Sequence, residues 1–103
     1  MELNVIERLL LNGLLPAQGT MLNLKMIREL KEDLSFSDEE NKMLEFKEEE
    51  GKLHWNPEHV NYTKEIEIKD TMRDLIVKAL KAKDEKEELL AEHESLWDKF
   101  IGE

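Results

Sequence analysis

Between Leu44 and Trp55 the chain reads LEFKEEEGKLHW, with its apolar residues at every second position on either side of Gly51. Leu44 and Phe46 alternate with charged neighbours before the glycine, and Leu53 and Trp55 do so after it. A spacing of two is the strand period, in which successive side chains point to opposite faces of a sheet. Elsewhere the apolar residues mostly recur every three or four positions, the helical period. A chain that changes period in its middle is not all-helical, so the prediction is an α+β fold. It contains a hairpin over 44–48 and 52–55, with Glu48, Glu49, Glu50 and Gly51 at its turn. An isolated hairpin is marginal in water. KEIEIKD, which alternates again and places Ile66 and Ile68 on one side, is therefore expected to supply a third strand to the same small antiparallel sheet.

The helices lie on either side of this region. Val5, Ile6, Leu9 and Leu10 predict a first helix over 3–12, ended by Asn12, Gly13 and Pro16. Thr20 is placed to cap a second helix, whose inward stripe is Met26, Ile27, Leu30 and Leu34. Lys25, Arg28, Glu29, Lys31 and Glu32 form its solvent face. Ser37 with Glu40 is a capping-box pair that opens a short third helix, where Asp38 and Glu39 meet the positive end of the helix dipole. After Asn56 and Pro57 break the chain, Asp70 can cap a helix carrying Met72, Leu75, Ile76, Ala79 and Leu80. Asp84 with Glu87 then predicts a last helix presenting Leu89, Leu90, His93, Leu96, Trp97 and Phe100. Two amphipathic helices joined by KAKDEK predict a C-terminal antiparallel helical hairpin.

Length and composition bound what this architecture holds. At 103 residues the chain fits a single domain spanning 1–103, of a size that buries roughly 60–70% of its unfolded surface. With 25 acidic against 15 basic residues, the net charge of −10 disfavours nucleic acid and anionic membranes and favours basic partners. No cysteine is present, which excludes disulfides and thiolate chemistry and suits a cytoplasmic setting. MELNVIERLLLNGLL has neither a basic leader nor a cleavage site, so it predicts no signal peptide, and no apolar run is long enough to span a bilayer.

Reactive constellations are scarce. There is no P-loop, GxGxxG, HExxH or GxSxG pattern, so neither catalytic residues nor cofactors are predicted, and the expected class is not an enzyme. His54 and His59 are five apart with Pro57 between them, a spacing no common metal motif uses. His93 sits at the step between Leu89 and Trp97 and reads as a core-edge residue. Trp55, Trp97, Phe46 and Phe100 read as core.

Charge is the remaining signal. Residues 37–50 carry seven acids and two bases and 84–103 carry eight and two, while 51–83 carry five and seven. Two acidic zones flank a mildly basic middle, as a solubilising surface would, or as a surface for docking on a basic protein would. The helix, helix, helix, hairpin order over 3–55 is also that of a winged helix. Its reading helix would be SDEENKML, whose three acids oppose phosphate.

LKMIRELKEDLSFSDEE, LEFKEEEGKLHWN, KEIEI, LIVKAL and EHESLWDKF together resemble a set of small acidic proteins encoded in tailed-bacteriophage and prophage genomes. The likeness spans nearly the whole chain, and DLSFSDEE and the Gly-then-Trp hairpin are its most specific parts. It implies a viral setting, with the host cytoplasm as the location, and brings no catalytic or binding residues. The expected function is an accessory protein-interaction module. Its candidate contact residues are Asp38, Glu39, Glu48, Glu49 and Glu50, and its partner is a protein with a basic surface. Self-association into a homo-oligomer through surplus apolar helix faces and a winged-helix transcriptional regulator are the alternatives.

Overall fold

A computed structural model describes residues 1–102. Among them, strand β1 (Glu2–Asn4) runs directly into helix α1 (Val5–Leu14), followed by α2 (Met21–Leu34) and α3 (Asp38–Leu44). Strands β2 (Lys47–Glu49) and β3 (Lys52–His54) come next, then a 3-10 turn at Pro57–His59 and β4 (Thr63–Glu65). Helix α4 (Asp70–Glu85), a second 3-10 turn at Ala91–His93 and α5 (Glu94–Phe100) complete an α+β fold.

The third strand does not join the hairpin. β4 pairs antiparallel with β1, with Leu3 opposite Lys64, while β2 and β3 form a separate two-stranded sheet. The reason is burial. Leu3 and Ile66 are nearly inaccessible, so closing the two distant segments on each other covers apolar surface. Every residue of β2 and β3 is exposed, and the hairpin has no buried face to offer a third strand.

α1 starts where Asn4 caps it: Asn4 Oδ1 accepts from the Glu7 amide at 2.8 Å, and Glu7 Oε1 accepts from the Asn4 amide at 2.9 Å. The helix therefore begins after the strand rather than at residue 3. It also continues through Gly13 to Leu14. A mid-helix glycine costs about 1 kcal/mol, less than the roughly 1.5–3 kcal/mol from burying the leucine that follows. Its inward face is Val5, Glu7, Arg8, Leu11 and Leu14, whereas Leu9 is 41% exposed. Two charged side chains on the buried side hid that face from a reading of apolar spacing.

α2 and α3 form where their caps predict. Thr20 Oγ1 accepts from the Asn23 amide, and Ile27, Leu30 and Leu34 are buried with Met26 packed beside them. Ser37 and Glu40 make the reciprocal capping box. Leu44 ends α3 and is fully buried there instead of opening a strand. Glu45 then takes a left-handed backbone, φ 49° and ψ 56°, which costs a residue with a side chain about 1–2 kcal/mol. The hairpin turn is tighter than its composition suggests. Glu50 and Gly51 alone form it, at φ 54° and 76°, and Glu48 and Glu49 belong to β2.

α4 buries Met72, Ile76 and Leu80 as its spacing requires. Lys69 rather than Asp70 precedes it, and Asp84 lies inside its last turn instead of capping the next helix. The chain reverses over 86–93, with Glu87 left-handed at φ 57°, so Leu89 and Leu90 sit in a loop and α5 is only seven residues long. Leu96 and Phe100 of α5 join one apolar core with Leu3, Leu11, Ile27, Leu30, Ile66, Met72, Ile76 and Leu80. Phe46 and Trp55 lie outside that core. Leu80→Ala is expected to cost about 2–5 kcal/mol in urea denaturation, whereas Leu22→Ala, at a position 69% exposed, should stay within about 0.5 kcal/mol of the parent.

Candidate functional site

The acidic residues singled out by charge occupy two places. Asp38 and Glu39 are exposed in the first turn of α3. Glu48 and Glu49 lie on β2 and Glu50 in the turn, all exposed, beyond the other end of α3. A helix of seven residues is about 10 Å long and three strand residues add about 10 Å, so these are two patches rather than one. Within the hairpin, Glu49 stands opposite Lys52, Glu48 opposite Leu53 and Lys47 opposite His54.

The fourth acid of this region behaves differently. Glu40 is 7% exposed and faces Arg8, which is 1% exposed. Arg8 Nη1 donates to Glu40 Oε2 at 2.7 Å and Nη2 to Oε1 at 3.2 Å, a forked pair in which both carboxylate oxygens are used. The same guanidinium donates through Nε to the Leu34 carbonyl at 3.2 Å and through Nη2 to the Ser35 carbonyl at 2.6 Å. These carbonyls end α2, where a cation also suits the helix dipole. Phe36 lies under the guanidinium, 3.9 Å from its ring centre. Tyr62 Oη donates to Glu40 Oε2 at 2.7 Å, tying in the segment that leads to β4.

Protonation follows from these contacts. The Arg8 hydrogen bonds, against the opposing effect of burial, together with the Ser37 amide and the Tyr62 hydroxyl, bring Glu40 from its ordinary 4.5 to about 2. The Glu40 carboxylate in turn holds the Tyr62 phenol above its usual value. The sequence did carry a signal for this cluster: Arg8 shares a helical stripe with Val5 and Leu11, and a cation on an apolar stripe requires a buried acceptor.

A second buried carboxylate, Glu7, accepts from Lys99 Nζ at 2.8 Å, and the same ammonium donates to the Glu2 carbonyl at 2.7 Å. Burial pushes the Glu7 pKa up, but Lys99, the Asn4 amide and the nearby Ser95 hydroxyl outweigh it and leave the pKa below the ordinary value. Among the described residues, Glu7 Oε2 is buried with no hydrogen-bond partner. His93 is 5% exposed and its Nδ1 accepts from the Leu90 amide at 2.9 Å, so it braces the loop before α5.

Several shallow grooves open on the surface, two of them at the hairpin and along α2. One, about 280 Å³, lies at the hairpin base between Glu45, Lys47, His54, Trp55, Asn56 and Pro57. The other, about 320 Å³, runs between α2 and the start of α4, past Met26, Glu29, Asp33, Glu67, Lys69 and Met72. Among the described residues, no three His, Asp or Glu side chains are grouped to hold a metal ion, and no helix is long and apolar enough to cross a membrane. No family model, curated protein or solved structure matches this chain.

Arg8→Met leaves Glu40 buried without its cation and should cost about 3–5 kcal/mol at pH 7. Adding Glu40→Met should recover part of that loss in a double-mutant cycle measured by urea unfolding. Because the folded pKa of Glu40 is depressed, its stabilisation is complete above 4.5 and is lost as pH falls toward about 2. The lowering corresponds to roughly 3 kcal/mol. Glu40→Gln should flatten the decline in stability between pH 5 and pH 2, and an unchanged decline would exclude Glu40 as its source.

Proposed function

We propose that this chain is a non-enzymatic protein-interaction module, a phage-encoded accessory protein that docks on a basic surface of another protein in the host cytoplasm. The observation that carries this reading is the β2–β3 hairpin: every residue of both strands is exposed, and Glu48, Glu49 and Glu50 crowd its end. An element that buries nothing and joins no other sheet is not retained for packing, and its charge complements a cationic partner. Modulating a host factor or assisting assembly are both roles open to such a module.

A specific observation also favours self-association. Met21 and Leu22 are 67% and 69% exposed side by side at the start of α2. Light scattering at high protein concentration separates the two readings, since a monomer there removes this one. The winged-helix regulator is the weakest of the three, because α3 would present the exposed Asp38 and Glu39 to phosphate.

The triple variant Glu48→Lys, Glu49→Lys, Glu50→Lys should fold with an unchanged melting temperature and lose the partner that the parent retains from a bacterial lysate. Retention by the parent should fall steeply as salt shortens the screening length from about 10 Å at 0.1 M to about 3 Å at 1 M. Equal retention by the parent and the triple variant would overturn the proposal.

A further inference from the structure

The β2–β3 hairpin has two open edges, and its register decides what each one offers. Glu50 and Gly51 join the strands through a two-residue turn with positive φ at both positions, so the flanking pair, Glu49 and Lys52, is hydrogen-bonded across the ladder. Hydrogen-bonded and non-hydrogen-bonded pairs alternate along an antiparallel ladder, which makes Glu48 opposite Leu53 a non-hydrogen-bonded pair. The amide N–H and the carbonyl of Glu48 therefore point away from β3, and β2 pairs with no other strand among the described residues. The Glu48 side chain is unmatched as well. Glu49 stands opposite Lys52, whereas Glu48 stands opposite Leu53. At the strand period of two, Glu48 shares its face of the ladder with Phe46, Leu53 and Trp55, while Lys47, Lys52 and His54 lie on the other face with Glu49. Among the described residues, Glu48 makes no ion pair.

We infer that an extended segment of a protein partner adds to the hairpin as an antiparallel third strand along the β2 edge, with a lysine or arginine opposite Glu48. The inference rests on the interaction-module reading and names the place and mode of contact. A residue with both backbone groups facing outward is fully used by one antiparallel neighbour, which exchanges two N–H···O bonds with it, and residues paired in this way carry their side chains on one face. The cation of the incoming strand thus meets the Glu48 carboxylate on a face that holds no other cation of the ladder. Two positions further along, the same strand runs beside Phe46, which is half-buried and packs edge-on against Phe36 with 5.0 Å between ring centres, so an apolar residue suits that position. The β3 edge is the poorer choice for such a segment, because Leu53 presents the same backbone groups without a carboxylate and lies between Lys52 and His54. In strand addition the main-chain hydrogen bonds carry the affinity and alternate side chains the selectivity. A third strand also supplies what a hairpin that buries nothing lacks.

The test is titration of the full ¹⁵N-labelled chain with the peptide acetyl-Thr-Val-Thr-Arg-Thr-Val-Thr-amide, followed by NMR and amide hydrogen exchange. Saturable binding is expected, with exchange slowed at the Glu48 amide and unchanged at the Leu53 amide. The same peptide N-methylated at its arginine keeps the charge and loses the donor, and should bind about tenfold more weakly. Glu48→Gln, at an exposed position, should leave the melting temperature unchanged and weaken binding of the original peptide about threefold. A peptide with glutamate in place of the arginine should show no saturable response, and an equal response to it overturns the cation assignment. Binding that slows exchange at Leu53 instead of Glu48, or that neither the N-methyl group nor Glu48→Gln weakens, overturns the edge pairing and leaves a basic partner in place. Slowed exchange at Glu48 that grows with protein concentration in the absence of peptide assigns the edge to a second copy and overturns the partner strand. The lack of any saturable response to the arginine peptide overturns the pairing, and retention from the lysate then decides the interaction-module reading separately.

Discussion

Arg8 carries a guanidinium into the interior from α1, and three other segments converge on it. It binds the carboxylate of Glu40 in α3 and the two carbonyls that end α2, while Tyr62 reaches the same carboxylate from the approach to β4. A buried ion pair is seldom a net source of stability, because desolvating both charges offsets most of their attraction. Its value lies in direction. An apolar contact tolerates small rotations, whereas a forked arginine with four hydrogen bonds fixes how α1 crosses the end of α2 and where α3 starts. Since the hairpin grows from the end of α3, its projection from the body is set at Arg8.

The charged surface divides along the same line. Glu7 and Glu40 are drawn inside, each matched to one cation, Lys99 and Arg8. Asp38, Glu39, Glu48, Glu49 and Glu50 stay in water. Among the described residues, the three with side chains and a positive φ are all glutamates, Glu45, Glu50 and Glu87. Two of them bracket the hairpin, at its base and its tip, so the strain of this region coincides with its charge.

Much of the local structure was legible from spacing. The capping box of Ser37 and Glu40, the Thr20 cap, the stripe of α2 and the buried face of α4 formed as the residues imply, because each depends on neighbours within four positions. The third strand was misjudged for a physical reason. Alternation in KEIEIKD marks a strand over Ile66 and Ile68, but the strand is Thr63–Glu65 and both isoleucines follow it without regular structure, while its partner, Glu2–Asn4, is three residues long, too short to announce itself by period. The end of α4 was misjudged because Asp84 and Glu87 fit a cap equally well inside and outside a helix, and the tertiary contacts of Leu96 and Phe100 decided between them. Of the candidate site, the exposure of the five acids was legible. Their separation into two patches was not, since it depends on the length of α3 and on the position of the hairpin beyond it.

By itself the sequence determined the caps at Thr20 and Ser37, the inward stripes of α2 and α4, the excess of carboxylates and the absence of thiol chemistry, all properties of single residues or of short runs. Only the tertiary structure decided that two of the carboxylates are interior ligands of cations, that the hairpin stands alone, and that Glu45, Trp55 and Pro57 enclose a groove. Those facts depend on residues such as Arg8 and Tyr62 meeting across 32 and 22 positions of chain at Glu40. Local periodicity holds no record of such meetings, because the energy that selects them comes from burial and exists only once the chain has closed on itself.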